Sequence, residues 1–139
     1  MTKFRLDIEY DYDFLLAAIS CHEKPYRLCW AVNRALNLKM MRIDPLKITL
    51  KKNEVSSEFA LFREENETSD TAWFLIANRT TNSLLVPEQP QADYFFIAKG
   101  PFNSGDHERM LAGLKNIQFV LMSYRVDPAT LKSRQNLLF

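Results

Sequence analysis

Val86-Pro87-Glu88-Gln89-Pro90-Gln91-Ala92-Asp93-Tyr94 is the stretch around which the rest of the chain is arranged. The apolar residues Leu84, Leu85 and Val86 run into two prolines, and Tyr94-Phe95-Phe96-Ile97-Ala98 leaves on the far side. Proline has no amide donor and a fixed φ, so neither Pro87 nor Pro90 can sit in a central strand ladder. Each also drives the residue before it, Val86 or Gln89, towards extended geometry. The expectation is a stiff, exposed corner between two strands. Glu88 stands at its tip, and Asp93-Tyr94 mark where the chain re-enters the sheet.

Working back from the corner, residues 78–83 read as a turn, and residues 72–77 are apolar on both faces, as in a covered central strand. The acidic stretch 63–70 reads as a loop or hairpin tip. Phe59, Leu61 and Phe62 precede it, and Leu46, Ile48 and Leu50 alternate with polar residues as a one-sided strand. Leu28, Val32, Ala35 and Leu36 recur at helical spacing, which predicts a helix over 26–38 with Pro25 in its first turn. Residues 14–19 are apolar on every side and read as a short buried helix capped by Asp11 or Asp13. Residues 4–10 alternate as a strand with one wet face.

Forward of the corner, residues 94–98 form a second doubly apolar run, which Gly100-Pro101 ends. Ser104 or Asp106 caps a helix whose apolar stripe is Met110, Leu111 and Leu114, ending near Lys115-Asn116. Residues 117–124 read as a final strand, and Asp127-Pro128 opens a short helical or irregular tail. The order β-α-α-β-β-β-β-β-α-β-tail predicts one α+β domain over 1–139, a mostly antiparallel sheet with helices packed against it. The piece 94–124 should add one parallel or split pairing.

The corner resembles the signature of the IPExxxVDY family, bacterial proteins without an assigned activity. The match reads Val86-Pro87-Glu88 and Ala92-Asp93-Tyr94, with Val for Ile and Ala for Val. The likeness extends to Tyr26-Arg27-Leu28-Cys29-Trp30 with Asn33, and to the ending from Leu131 to Phe139. It implies a family and no mechanism, since the family brings no catalytic or binding residues with it.

Composition bounds the function. The 139 residues are 47% hydrophobic and 25% charged, ordinary for a folded domain. Three glycines leave no material for a phosphate-cradling loop. A net charge of +1, from 18 basic and 17 acidic residues, gives no footprint for duplex nucleic acid. No apolar run approaches the ~20 residues of a membrane span, and the start lacks the apolar core of a signal peptide. Cys21 and Cys29 match neither a Cys-x-x-Cys pair nor a disulfide framework, so reduced thiols in a cytoplasmic protein are expected.

Candidate chemistry is sparse. Glu88, Asp93 and Tyr94 could serve acid-base work if burial moved a carboxyl pKa towards neutrality. The plainer role is structural: Glu88 accepts amides freed by the prolines, Asp93 caps the corner, and Tyr94 buries its ring and tethers its hydroxyl. His22 and His107 are the two histidines, and neither they nor the cysteines match a nucleophile turn or a zinc spacing. Asp7, Glu9, Asp11 and Asp13 read as a solvated face, with no calcium loop beside them. Trp30 either closes the edge of the core or anchors an interface, with Arg27 near it on the same helix. The core edge is the favoured position for Trp30.

Lys132 and Arg134 lie in a tail with no acid after Asp127. The tail should dock its apolar end on the domain, with self-association, or a basic patch for an RNA backbone or an acidic protein, as other uses. The expected function is therefore a non-catalytic, cytoplasmic protein-interaction domain, with a homodimer as one form of that contact and with no cofactor and no metal. One alternative is a small enzyme or ligand-binding protein using Glu88, Asp93, Tyr94 and His22. A pocket that holds Glu88 or Asp93 beside His22 would favour it. A weaker alternative is RNA binding through Lys132 and Arg134.

Overall fold

Six apolar residues in a row, 14–19, suit a buried helix and a buried strand equally, because periodicity cannot separate the two in so short a run. In the computed structural model, which describes residues 14–50, 55–80 and 83–137, they enter a strand, β1 (Leu15–Ser20). The helix expected there is therefore corrected. Leu15 to Ile19 are all fully buried because β1 is flanked on both sides and covered on both faces. The strand expected over 4–10 and the acids Asp7, Glu9, Asp11 and Asp13 lie outside the described residues.

The other elements are α1 (Pro25–Leu36), β2 (Met41–Leu50), β3 (Val55–Asn66), β4 (Thr71–Ala77), β5 (Tyr94–Lys99), α2 (Ser104–Lys115) and β6 (Met122–Arg125). Two 3-10 turns, Pro128–Thr130 and Arg134–Leu137, close the tail. The fold is α+β: a six-stranded sheet in the order β2-β3-β4-β5-β1-β6, every neighbouring pair antiparallel, with two helices against it. Since β1 runs antiparallel to both β5 and β6, those two are parallel with β1 between them. This is the split β-α-β pairing expected of the last third of the chain.

Three boundaries differ from the sequence reading. Strand β3 extends to Asn66, because Arg63 to Asn66 pair with β4 residues Phe74 to Thr71, and the turn is confined to 67–70. Asp70 closes that turn at φ 56°. Residues 84–86 form no strand; one isolated bridge joins Arg79 to Leu84, and the Val86 amide is taken by a side chain. The last strand is short, 122–125, since 117–120 fold into a turn closed by the Val120 amide on the Ile117 carbonyl.

The sheet alternates its side chains between two cores. One face carries Leu15, Ala17, Ile19, Phe62, Leu75 and Phe96 and is covered by α1 and α2 through Leu28, Val32 and Leu114. The other carries Leu16, Ala18, Phe59, Phe74, Ile76 and Phe95, and is covered by Leu85, Val86 and Ala92 of the proline segment with Leu131 and Leu137 of the tail. Each fully buried side chain of this size contributes about 2 kcal/mol from area alone, so both layers matter to stability.

Local chemistry fixes the helices. Pro25 starts α1, and Asn37 ends it in the left-handed conformation at φ 58°. Asn33 then clamps the chain's return: its Nδ2 donates to the Met40 carbonyl and its Oδ1 accepts the Met40 amide, both at 3.0 Å. The cap of α2 is Asn103, one residue before the expected Ser104. Its Oδ1 accepts the Asp106 amide at 2.8 Å, and Asp106 accepts the Asn103 amide at 3.0 Å. The Asn103 amide, with Arg109 behind it, holds the Asp106 carboxyl below its ordinary pKa.

Candidate functional site

The proline segment is less a corner between strands than a cover for the sheet. Asn78, just past β4 and fully buried, holds it from within. Its Nδ2 donates to the carbonyls of Gln89 at 3.1 Å and Ala92 at 2.9 Å, and its Oδ1 accepts the Val86 amide at 2.7 Å. Nothing in the sequence pattern singled out this residue beyond an amide side chain at the end of an apolar strand. Glu88 is half-buried and faces the tail: Oε2 accepts the Ser133 amide at 2.6 Å and Oε1 the Ser133 hydroxyl at 2.9 Å. The expectation that Glu88 serves amides freed by the prolines is thus amended, since its partner lies 45 residues away. Burial pushes the Glu88 carboxyl up, but the bonds from Ser133 outweigh it and leave the pKa below the ordinary value.

Asp93 and Tyr94 point elsewhere. Asp93 accepts the Cys21 amide at 3.0 Å through Oδ2 and Arg79 Nε at 2.8 Å through Oδ1. Arg79 also donates to the Pro90 carbonyl. Tyr94 is buried, and its hydroxyl donates to the Glu23 carbonyl at 2.6 Å. Desolvation, together with nearby Cys21, Asp93 and Glu23, raises its pKa far above the usual phenol range. His22 joins Cys21, Arg79, Asp93 and Tyr94 around an open cleft of about 360 Å³. The structure therefore brings His22, Asp93 and Tyr94 together and leaves Glu88 out.

The thiol in that cleft is not activated. Burial pushes the Cys21 thiol above its ordinary pKa, and Cys29, buried under α1, is pushed to about 11. Both are neutral thiols at pH 7, which are poor nucleophiles. Asp93 already accepts two donors. Among the described residues no group of three or more His, Cys, Asp and Glu side chains is placed to hold a metal ion. His107 lies on α2 against Phe102, with ring centroids 6.2 Å apart, and does not line the cleft.

A second candidate lies on the outer side of α1. Trp30 is 61% exposed, which corrects the position at the core edge favoured from the sequence. The helix buries Leu28, Cys29, Ala31 and Val32, and Trp30 falls on the opposite side of that stripe. The Arg34 guanidinium lies 5.4 Å from the Trp30 ring centroid, and Arg27 lies 5.6 Å from that of Phe119. Arg27 also pairs with Glu23 at 3.3 Å. Between α1 and the 116–119 turn runs an open groove of about 520 Å³, lined by Arg27, Trp30, Arg34, Asn116, Gln118 and Phe119 among others, with no acid among the described residues that line it.

Among the described residues five large apolar side chains stand out from the surface, and four belong to α1 and the approach to β6: Tyr26 and Trp30 on the helix, Leu121 and Met122 where the strand begins. The Arg27–Phe119 contact ties α1 to the turn that leads into β6, and β6 itself is paired with β1 through Ser20 and Met122. A larger opening of about 810 Å³ lies at the other end of the helix pair, beside Leu38, Trp73, Phe102 and Met110. Its tryptophan is half-buried and packs on Phe102 with centroids 5.9 Å apart, so its aromatic surface is already used.

Lys132 is exposed, while Arg134 turns back to donate to the Leu131 carbonyl at 2.6 Å. Leu131 and Leu137 dock the tail on the sheet, and Leu138 and Phe139 lie outside the described residues. No helix among the described residues is long and apolar enough to cross a membrane. Comparison of the chain with protein-family models, with curated proteins and with solved structures finds no match.

Proposed function

We infer that the chain is a non-catalytic binding domain that works through protein contact at the Trp30 face of α1. The supporting observation is an indole left 61% exposed on a helix whose other side is well packed. Tryptophan and arginine are the side chains that most often dominate binding energy at protein interfaces, and here they are stacked on each other in water. The polar groups near the proline segment weigh the same way, because each carboxylate there already serves backbone or side-chain donors. The cytoplasm is the compartment in which Cys21 and Cys29 stay the free thiols they are here. Kinship with the IPExxxVDY family belongs to the same proposal, rests on Val86-Pro87-Glu88 and Ala92-Asp93-Tyr94, and adds no activity to it.

The test is a photo-cross-linking amino acid placed at the exposed, groove-lining position 118 in the host cell, which leaves Trp30 in place, with position 67 in the β3–β4 turn as control. Discrete adducts specific to position 118 are expected, at twice the monomer mass if the partner is a second copy. If position 118 yields no adduct absent from the control, the reading is wrong. A second reading, small-ligand binding, is favoured by the meeting of Asp93 and His22 at one cleft. It predicts saturable amide shifts at Asp93 and Tyr94 in an NMR fragment screen; shifts confined to other residues would remove it.

A further inference from the structure

We propose that the occupant of the groove between α1 and the 116–119 turn is an acidic segment of another protein, in which carboxylates stand next to an aliphatic or aromatic residue. The inference deepens the reading just given and rests on it. Charge complementarity carries it. Arg27 and Arg34 flank Trp30, both are exposed, and no acid among the described residues lines the groove. Arg27 has Glu23 beside it, so Arg34 is the cation held in place by a ring and not by a counter-charge. A guanidinium stacked on an indole keeps its N–H edge free, and that planar fork matches a carboxylate.

The apolar requirement comes from the ring itself. An indole standing in water gains most by covering an apolar neighbour, and a carboxylate reaching Arg34 places the adjoining residue of the same segment over Trp30. A two-fold contact between copies through this face would set the arginines of one copy against those of the other, which like charge opposes. The chain's own acidic tip, 64–70, supplies carboxylates but no large apolar side chain for the indole, whereas residues 6–13 alternate acids with apolar residues and are the competing occupant, which would block an added peptide and abolish its Trp30 response. The occupant proposed is a segment of a different protein.

The test uses the full chain with Trp73→Phe, so that Trp30 is the remaining tryptophan and reports on the groove. The probes are a short synthetic peptide of alternating glutamate and leucine and its counterparts with glutamine or lysine in place of glutamate. A saturable change in Trp30 emission is expected with the glutamate peptide, about tenfold weaker with the glutamine peptide, and absent with the lysine peptide. Affinity should fall with added salt, because exposed ion pairs are screened. Arg34→Glu, an exposed change, should weaken binding about tenfold or more with unchanged circular dichroism.

Equal binding of the glutamate and glutamine peptides, or indifference to Arg34→Glu, overturns the acidic assignment. The position-118 cross-link would survive that result, so the two failures are distinct. An adduct at twice the monomer mass as the main product also overturns it, in favour of a second copy. Absence of any Trp30 response to the glutamate peptide counts against the proposal in the same way.

Discussion

One face of the sheet is covered by two helices, the other by a proline-stiffened loop and a tail with no regular structure beyond 3-10 turns. The two covers bury similar cores but are held differently. A helix satisfies its own backbone, so α1 and α2 need few side-chain pins and their outer sides stay free. A loop cannot do this, and every polar group it brings over the sheet must find a partner. Asn78, Glu88 and Asn136 supply those partners, the last by donating to the Leu85 carbonyl at 2.9 Å. The polar residues that draw the eye in the sequence are thus consumed by the loop-covered face, and surface for recognition is left on the helical one.

Asn78→Ala breaks this contrast hardest. It removes three hydrogen bonds from a fully buried site and leaves the Val86 amide and the Ala92 carbonyl unpaired. Each unsatisfied buried group costs about 1–3 kcal/mol, so a loss of about 3 kcal/mol is expected in urea unfolding. A change under about 1 kcal/mol would mean that the loop does not depend on the side chain beneath it.

Glu88→Gln tests the outer pin. The amide keeps the shape but loses the charge that accepts the Ser133 amide and hydroxyl, and about 1 kcal/mol should go with it. Because the folded pKa is depressed, ionised Glu88 favours the folded state. That contribution is complete above the unfolded-chain value of ~4.3 and is lost as the pH falls through the lower folded value. The wild type should therefore lose stability on acidification in this range more steeply than the variant. Parallel curves would show that Glu88 gains nothing from Ser133 on folding.

Tyr94→Phe tests the point where the proline segment meets the helical side. The phenol donates to the Glu23 carbonyl, just ahead of α1, and its loss leaves a poorly solvated acceptor. About 1 kcal/mol is expected in the same assay, with hydrogen exchange quickening at Arg27 and Leu28, whose amides bond to the Lys24 carbonyl next to it.

The α+β class was legible because alternation in 46–50 and the doubly apolar runs 72–77 and 94–98 reflect burial, which side-chain chemistry reports directly. The proline segment was legible as a rigid break, but its role was not. What it covers depends on a tail that starts some 40 residues later in the chain. The strand β1 was misread because the six apolar residues 14–19 carry no period, and only its neighbours β5 and β6 make Leu15–Ser20 a strand. Trp30 was misplaced for a related reason. Its sequence neighbours are buried, and the angle of one residue around a helix decides its side only once the packed stripe is known.

The smallest expected effect is on the helical side, and it is informative for being small. Trp30→Ala removes a ring already in water, so unfolding should shift by no more than ~0.5 kcal/mol, the range of ordinary surface substitutions. A residue kept for folding would behave like Asn78 and cost several times more, whereas one kept for contact should leave urea curves superimposed. Trp30→Ala with unchanged stability and a glutamate-peptide affinity weakened about tenfold or more in titration calorimetry would separate the two covers cleanly, one serving the fold and the other its partner. A loss above about 2 kcal/mol would place the indole among the structural pins and remove the reason to look for a partner there.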